Sequence, residues 1–424
     1  MSKPTSAITR FPAPREAAPP DETTASADHI PTLDGLRGVA IAMVMVFHFY
    51  VLAPSEHLEA LDTGYGKFAS GGWAGVDLFF VLSGFLITGI LLESKGKRGY
   101  FSTFYARRAL RILPLYYGFL GFLLFVVPHV DVAAEAADID TLRHFQGWFW
   151  TLSMNVPYSI EAVAYDRRLI VNGHFWSLAI EEQFYIVWPL VVLLCSRRAL
   201  VGVCVATIVG ALALRIALVT DLTAAFPTGN PPYFATPARI DPLVAGALLA
   251  VLLRQPGALR LRIGRWAPFV ATAAFGGLVA MTLARGGFDD HDDVILTAGL
   301  SLLALFGVSI VATLATRRSG PLVRALTLPP LMSLGKYSYA AYVFHLFVFF
   351  ELKRAINEYA ALPQIAGSVL AGTLALGLVA ALTTYALAWL SWHLYEKRLL
   401  SLKRYFTYDE VAPFDVTERL ATAA

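Results

Sequence analysis

The chain has 424 residues, of which 57% are hydrophobic and 15% charged; a typical soluble domain carries about 25% charged residues. Long apolar stretches alternate with short charged ones, which argues against a string of soluble domains and for repeated membrane crossings. A net charge of +3 is too small to imply a nucleic-acid partner. Cys195 and Cys204 offer neither a disulfide framework nor a metal-ligand spacing, so no metal site is expected.

Residues 1–30 are rich in Pro, Ala, Thr and acidic side chains and hold no apolar run. They read as a disordered cytoplasmic tail and not as a cleaved signal. Ten segments then come near the roughly 20 residues needed to span hydrocarbon. They are Leu36–Leu52, Ala74–Leu92, Leu113–Val130, Phe175–Leu194, Leu200–Val219, Pro237–Leu253, Ala267–Ala284, Val294–Leu314, Leu334–Leu352 and Gln364–Leu390. Trp148–Tyr158 is apolar but short, and is expected to lie at the interface or re-enter. Residues 405–424 read as a second cytoplasmic tail. The expected fold is therefore an all-α polytopic transmembrane bundle over residues 31–404.

The connections set its orientation. Lys95, Lys97, Arg98, Arg107, Arg108 and Arg111 crowd the second, and Arg197 and Arg198 the fourth. Arg254, Arg260, Arg262 and Arg265 fill the sixth, and Arg317, Arg318 and Arg324 the eighth. Odd-numbered connections are poor in base or acidic, as at Glu56, Glu59 and Asp62 or at Asp289, Asp290, Asp292 and Asp293, although Lys353 and Arg354 break the rule in the ninth. Lys and Arg favour the cytoplasmic side, so both termini are placed there.

Charged residues inside hydrocarbon cost several kcal/mol and need a reason. Arg37 and His48 are eleven residues apart in the first span. Three helical turns and about 20° separate them, so they share a face about 16 Å apart along the axis. Arg37 falls at the cytoplasmic edge and His48 well inside. In the fourth span His174, Ser177 and Glu181 share a face, with Glu182 beside them. An imidazole next to a buried carboxylate is the arrangement general base chemistry uses. Adjacent carboxylates cannot share a face, so either Glu181 or Glu182 would assist. Ser338, Tyr342 and His345 line one face of the ninth span. Arg239 and Asp241 open the sixth, where they could neutralise each other, and Asp77 and Ser83 lie in the second. Together these polar groups call for one shared cavity. Arg108 and Arg111 lie three apart before Pro114, which suits the start of a membrane helix; with Arg37 they could hold phosphates in fork-like contacts, and plain cytoplasmic anchoring is the simpler account of each.

These residues resemble the acyltransferase type 3 family of bacterial integral-membrane O-acyltransferases. The likeness covers about residues 30–400 in consistent order. Its marks are Arg37 with His48, the Gly75–Phe85 block, Arg108 with Arg111, the Trp176–Tyr185 block and the pattern Ser338–His345. Two places depart from it: Pro242 follows Asp241 where Ala is expected, and Lys397-Arg398 follows Glu396 where a Pro is expected two residues on. The resemblance implies acyl-CoA, often acetyl-CoA, as donor, with no permanently bound cofactor, and a carbohydrate or glycosylated acceptor. It places the protein in the bacterial inner membrane, with His48 taking a proton from the acceptor or itself carrying the acyl group. Some relatives continue into an extracytoplasmic hydrolase-like domain. Nothing of that length follows the tenth span here, so a separate extracytoplasmic partner is a further expectation. The competing expectations are a multi-pass transporter or flippase of a sugar-containing or lipid substrate, and a non-catalytic membrane scaffold.

Overall fold

The computed structural model describes residues 30–51, 60–130, 136–160, 173–220, 229–255, 257–359 and 369–409. Of the tails expected at residues 1–30 and 405–424, residues 1–29 and 410–424 lie outside the described residues, as do the acidic Glu56 and Glu59 and the expected start of the tenth span at Gln364. Among the described residues, ten helices match the ten expected spans in order, and a further helix of 15 residues, Ala136–Trp150, lies in the third connection. The ten are α1 (Pro31–Val51), α2 (Gly75–Ser94), α3 (Tyr100–Gly121), α4 (Trp176–Leu194) and α5 (Arg197–Thr220). Next come α6 (Asp241–Leu253), α7 (Leu259–Arg285), α8 (Leu300–Thr316), α9 (Ser338–Tyr359) and α10 (Leu370–Ser391). Short helices fill several connections, and the described residues form no strand beyond an isolated bridge between Arg98 and Asp409.

Eight described helical stretches are long and apolar enough to cross a membrane. The other two of the ten differ for local reasons. α9 carries Glu351, Lys353 and Arg354 in its C-terminal part. α6 has only 13 residues. The sequence predicts one span over Pro237–Leu253. The chain instead makes short helices at Pro231–Phe234 and Thr236–Arg239 before α6 begins. Pro231, Pro237 and Pro242 each stand in the first turn of one of these pieces, where the missing N–H costs nothing and the ring resists continuation of the turn before it.

A second boundary also moves. Pro114 lies inside α3 and not at its start, so Arg107, Arg108 and Arg111 ride on the same helix as the apolar residues that follow. Side chains reach the backbone around this proline: Tyr339 Oη donates to the Ile112 carbonyl at 2.7 Å and Tyr395 Oη to that of Pro114 at 3.1 Å. Neighbouring hydroxyls of this kind are how proline is accommodated in a membrane helix.

Packing is tightest where side chains vanish. A Cβ on Gly84 of α2 would stand 1.7 Å from the Leu243 carbonyl oxygen, and one on Gly246 of α6 would stand 2.1 Å from that of Val81. The α2 and α6 backbones therefore touch, the close approach that small residues allow in membranes. Elsewhere, apolar side chains such as Ile186, Val187, Leu190 and Leu194 of α4, Phe269 and Leu283 of α7, and Leu378 and Leu382 of α10 are exposed. A bilayer is the medium that covers such ridges. After α10 the chain folds back on the start of α3. Arg107 Nε donates to the Phe406 carbonyl at 2.8 Å, and Thr103 Oγ1 to that of Thr407 at 2.8 Å. The first residues of the expected C-terminal tail are thus seated on the bundle.

Candidate active site

The last turns of α1 carry His48 toward α9. Its Nδ1 lies 3.1 Å from Nε2 of His345 and 3.0 Å from the Val44 carbonyl one turn back. His174, in the turn that leads into α4, completes a group of three imidazoles. Its ring centre is 4.8 Å from that of His345 and 6.4 Å from that of His48. His174 and His345 are buried, and neither ring nitrogen of His174 has a hydrogen-bond partner among the described residues.

Tyr342, one turn before His345 on α9, ties this group to α4. Its hydroxyl is 2.6 Å from Ser177 Oγ and donates to the His174 carbonyl at 2.6 Å. One turn further along α4, Glu181 accepts a hydrogen bond from Ser83 Oγ of α2 at 2.7 Å, and Ser83 Oγ accepts from Tyr185 Oη at 2.9 Å. The charges of Arg108 and Arg37 also act on Glu181. Polar groups thus run down the bundle from the three histidines, through Tyr342 and Ser177, to Glu181 with Ser83 and Tyr185.

Here the sequence expectation needs correcting. It pairs His48 with Glu181 or Glu182. No hydrogen bond joins His48 to either carboxylate among the described residues. The α4 segment presents His174 to His48, and Glu181 lies seven residues on, about 10 Å along the helix axis. Glu181 is engaged by Ser83 and Tyr185. Glu182, the next residue, faces another side of α4, and among the described residues its buried Oε1 has no hydrogen-bond partner. Ser338 is buried at the start of α9, about 10 Å below His345.

The charges of the sixth segment are also paired differently. Arg239 and Asp241 do not neutralise each other. Arg239 reaches Asp77 of α2 at 3.0 Å and lies over the rings of Tyr233, Trp176 and Phe80. Asp241 binds Arg215 of α5 at 2.7 and 3.0 Å. All four side chains are at most 2% exposed. Arg215, whose Nη2 also donates to Ser301 at 2.7 Å, is absent from the sequence-derived site. A lone cation in the apolar run from Leu200 to Val219 is the signal that would have found it. The same holds for Asn155, Gln183 and Thr236, which close a polar ring: Gln183 Nε2 donates to Asn155 Oδ1 at 2.9 Å, and Asn155 Nδ2 to Thr236 Oγ1 at 2.9 Å. Asn155 and Thr236 sit on short connecting helices and Gln183 on α4, and being uncharged they give no comparable signal in the sequence.

At the end assigned to the cytoplasm the cations gather. The charges of Arg37 and Arg108 act on Arg111, and those of Arg107, Arg108 and Arg111 on Lys403. Arg111 lies over the rings of Trp392 and Tyr339 and is 3.8 Å from Glu396. Arg37 is bonded to Asp34 at 2.9 Å. It also lines a cavity of about 910 Å³ that Arg254, Arg260, Arg317, Arg318 and Glu93 share. At the far end, outside the spans, Asp289, Asp290 and His291 converge within 4.8 Å. The hydrogen bond to Asp290, helped by Asp289, raises His291 to about 9 against the effect of partial burial. The ring is then mostly imidazolium paired with its acidic neighbours at neutral pH, and a metal ion would have to displace that proton to bind it.

A family profile described as an acyltransferase domain matches residues 30–393. The chain belongs to the acyltransferase type 3 family. As such an acyltransferase domain, it is 30% identical over 336 residues to O-acetyltransferase OatA of Staphylococcus aureus (strain NCTC 8325 / PS 47), covering 75% of this chain and 50% of that protein. It is 28% identical over 340 residues to peptidoglycan O-acetyltransferase OatA of Listeria monocytogenes (serovar 1/2a, strain EGD-e), covering 76% of this chain and 50% of that protein. The acyltransferase chain thus spans about half the length of the curated relatives it matches. No solved structure matches it.

Proposed function

We propose that this chain is a membrane O-acyltransferase of the bacterial inner membrane, moving an acetyl group from acetyl-CoA in the cytoplasm to a hydroxyl of an envelope carbohydrate outside. The observation that carries the proposal is the set of polar side chains, Tyr342, Ser177, Ser83, Tyr185 and Glu181, linked by hydrogen bonds in the bundle beneath a partly buried imidazole. The OatA relatives, one of them named for peptidoglycan, make a cell-wall sugar the first acceptor to test. In this reading Arg37, Arg108 and Arg111 hold the donor phosphates as charge-assisted contacts, and the pantetheine arm follows the path toward His48. His48 takes the proton of the acceptor hydroxyl as its oxygen attacks the thioester carbonyl. The C–S bond breaks, and the CoA thiolate takes that proton from the imidazolium. Glu181, fixed by Ser83 and Tyr185, acts on the field along the path and not by direct contact with His48. Asp77, Arg239 and Asp241 hold the walls. A broken sixth segment is a feature transporters share, but here ion pairs to α2 and α5 lock it in place.

The test uses the full chain in lipid nanodiscs with radiolabelled acetyl-CoA and muropeptide or oligosaccharide acceptors. Ester formation and CoA release are measured together. His48→Ala is expected to lower transfer by about 100- to 10,000-fold, and Glu181→Gln by much less, at unchanged folded yield. Wild-type turnover in the His48→Ala protein would overturn the assignment of the base, and acceptor uptake into sealed proteoliposomes of the same protein without any ester would overturn the enzymatic reading.

A further inference from the structure

We propose that His345 is a positioning residue that fixes which nitrogen of His48 carries the proton, and so makes Nε2 of His48 the atom that receives the acceptor's proton. The proposal rests on the reading of His48 as the base, and goes beyond it by naming the atom and the residue that sets it.

The argument is one of donors and acceptors. A backbone carbonyl oxygen only accepts, so a ring nitrogen bonded to one must carry hydrogen. His345 Nδ1 is 2.7 Å from the Tyr342 carbonyl oxygen, which puts its proton on Nδ1 and leaves a lone pair on Nε2 of the neutral ring. His48 Nδ1 is 3.0 Å from the Val44 carbonyl oxygen, so it too carries hydrogen. The two rings meet with that N–H facing the bare Nε2 of His345 at 3.1 Å. Every nitrogen in the pair is then accounted for except His48 Nε2, which is left unprotonated. With both Val44 and His345 accepting from Nδ1, moving the proton to Nε2 would leave two acceptors facing a third lone pair. That arrangement is strongly disfavoured at a buried position.

The second consequence concerns the charged form. When Nε2 takes the hydroxyl proton, the ring becomes an imidazolium and its Nδ1–H becomes a stronger donor to His345. His345 thus occupies the place that a carboxylate fills behind the imidazole in hydrolase triads, but without bringing a negative charge into the bundle. Its own ring is held by the Tyr342 carbonyl and enclosed by Phe49, Tyr342 and His174, with centres 6.3, 5.7 and 4.8 Å away. It is fully buried, whereas His48 is only partly so, as befits one ring that orients and another that reacts. His174 does not serve in this way, because no hydrogen bond links it to either ring among the described residues.

The experiment compares wild type, His345→Leu and His345→Gln as full chains in nanodiscs. Turnover and KM for acetyl-CoA are measured alongside the nitrogen-15 spectrum of histidine-labelled protein, with the His48→Ala spectrum assigning His48. Wild type is expected to show hydrogen on Nδ1 of His48 and none on Nε2. His345→Leu is expected to lower kcat by about 10- to 100-fold, by analogy with partners that orient metal-bound histidines, with KM within about twofold. His345→Gln, whose side-chain oxygen can stand where Nε2 stands, is expected to restore most of kcat. A wild-type spectrum with the proton on Nε2, or a folded His345→Leu protein of unchanged kcat, overturns the proposal. Should the leucine variant not fold, the wild-type spectrum and the glutamine variant decide it. Loss of activity in His48→Ala alongside full activity in His345→Leu sinks this inference alone, whereas an active His48→Ala sinks the base assignment beneath it.

Discussion

Asp77 and Arg239 show what a residue costs when its neighbour is removed. The pair is 3.0 Å apart, with side chains 1% and 0% exposed. Desolvation makes such a pair an uncertain source of net stability, but loss of one partner leaves a buried charge uncompensated. Asp77→Asn is therefore expected to destabilise the folded protein by about 3–5 kcal/mol. Arg239→Met with Asp77→Leu, which removes both charges, should cost less than either single change. Thermal unfolding in detergent with a fluorescent thiol probe for exposed Cys204, buried in the native chain, measures both. An additive double variant would show that the two charges do not depend on each other. The importance of Asp77 is visible in the sequence as an acid inside an apolar run. Its partner is not, because Arg239 and Asp241 stand two apart and look like each other's counter-ions. Ile240 between them keeps helical dihedrals, and residues two apart on a helix point about 200° apart, so one side chain meets α2 and the other α5.

At the scale of elements, the contact between α2 and α6 governs the geometry of the site. α2 carries Asp77 and Ser83, and α6 begins at Asp241. Gly84→Ala places a methyl group inside the Leu243 carbonyl, which only separation of the helices can relieve. Overpacking of this kind costs about 1–3 kcal/mol or more. The same change at Gly202 of α5, where a Cβ meets nothing within 4 Å, should be neutral or slightly stabilising. Folded yield and unfolding midpoint of the two variants provide the comparison, and equal behaviour would mean the crossing is looser than the structure shows. Helix order and most helix cores are legible from apolar run length alone, since the bilayer thickness imposes it. The break in the sixth segment was legible only as three prolines whose effect depends on where each falls in its turn. α3 departs from expectation for the same reason: Pro114 suits a helix start by sequence, yet lies within a helix whose neighbours supply hydroxyls from α9 and from the π-helical turn Trp392–Glu396 after α10.

Over the whole molecule, charge is graded from the cation cluster at one end to the acidic loop around Asp289 at the other, with the imidazoles between. A donor rich in phosphate would be drawn to the first end. Arg108 makes no hydrogen bond or ion pair among the described residues, so its removal disturbs little besides the cluster. Arg108→Ala is expected to raise KM for acetyl-CoA by about 10- to 100-fold, equivalent to about 1.5–3 kcal/mol for a hydrogen bond to a charged group. Its kcat should stay near the wild-type value, and the difference should shrink as salt rises. Equal KM values in low salt would remove Arg108 from the donor site.

Sequence alone determined that this chain lives in a membrane, how its helices are ordered, and which polar groups the hydrocarbon must tolerate. Those follow from local composition set against the solvation energy of the bilayer. It could not determine which polar group meets which. Periodicity assigns a side chain to a face of its own helix but says nothing of the helix that covers that face. Only the packing of α1 against α9, which sets two rings 297 residues apart in the chain within hydrogen-bond distance, gave His48 an imidazole partner in place of a carboxylate.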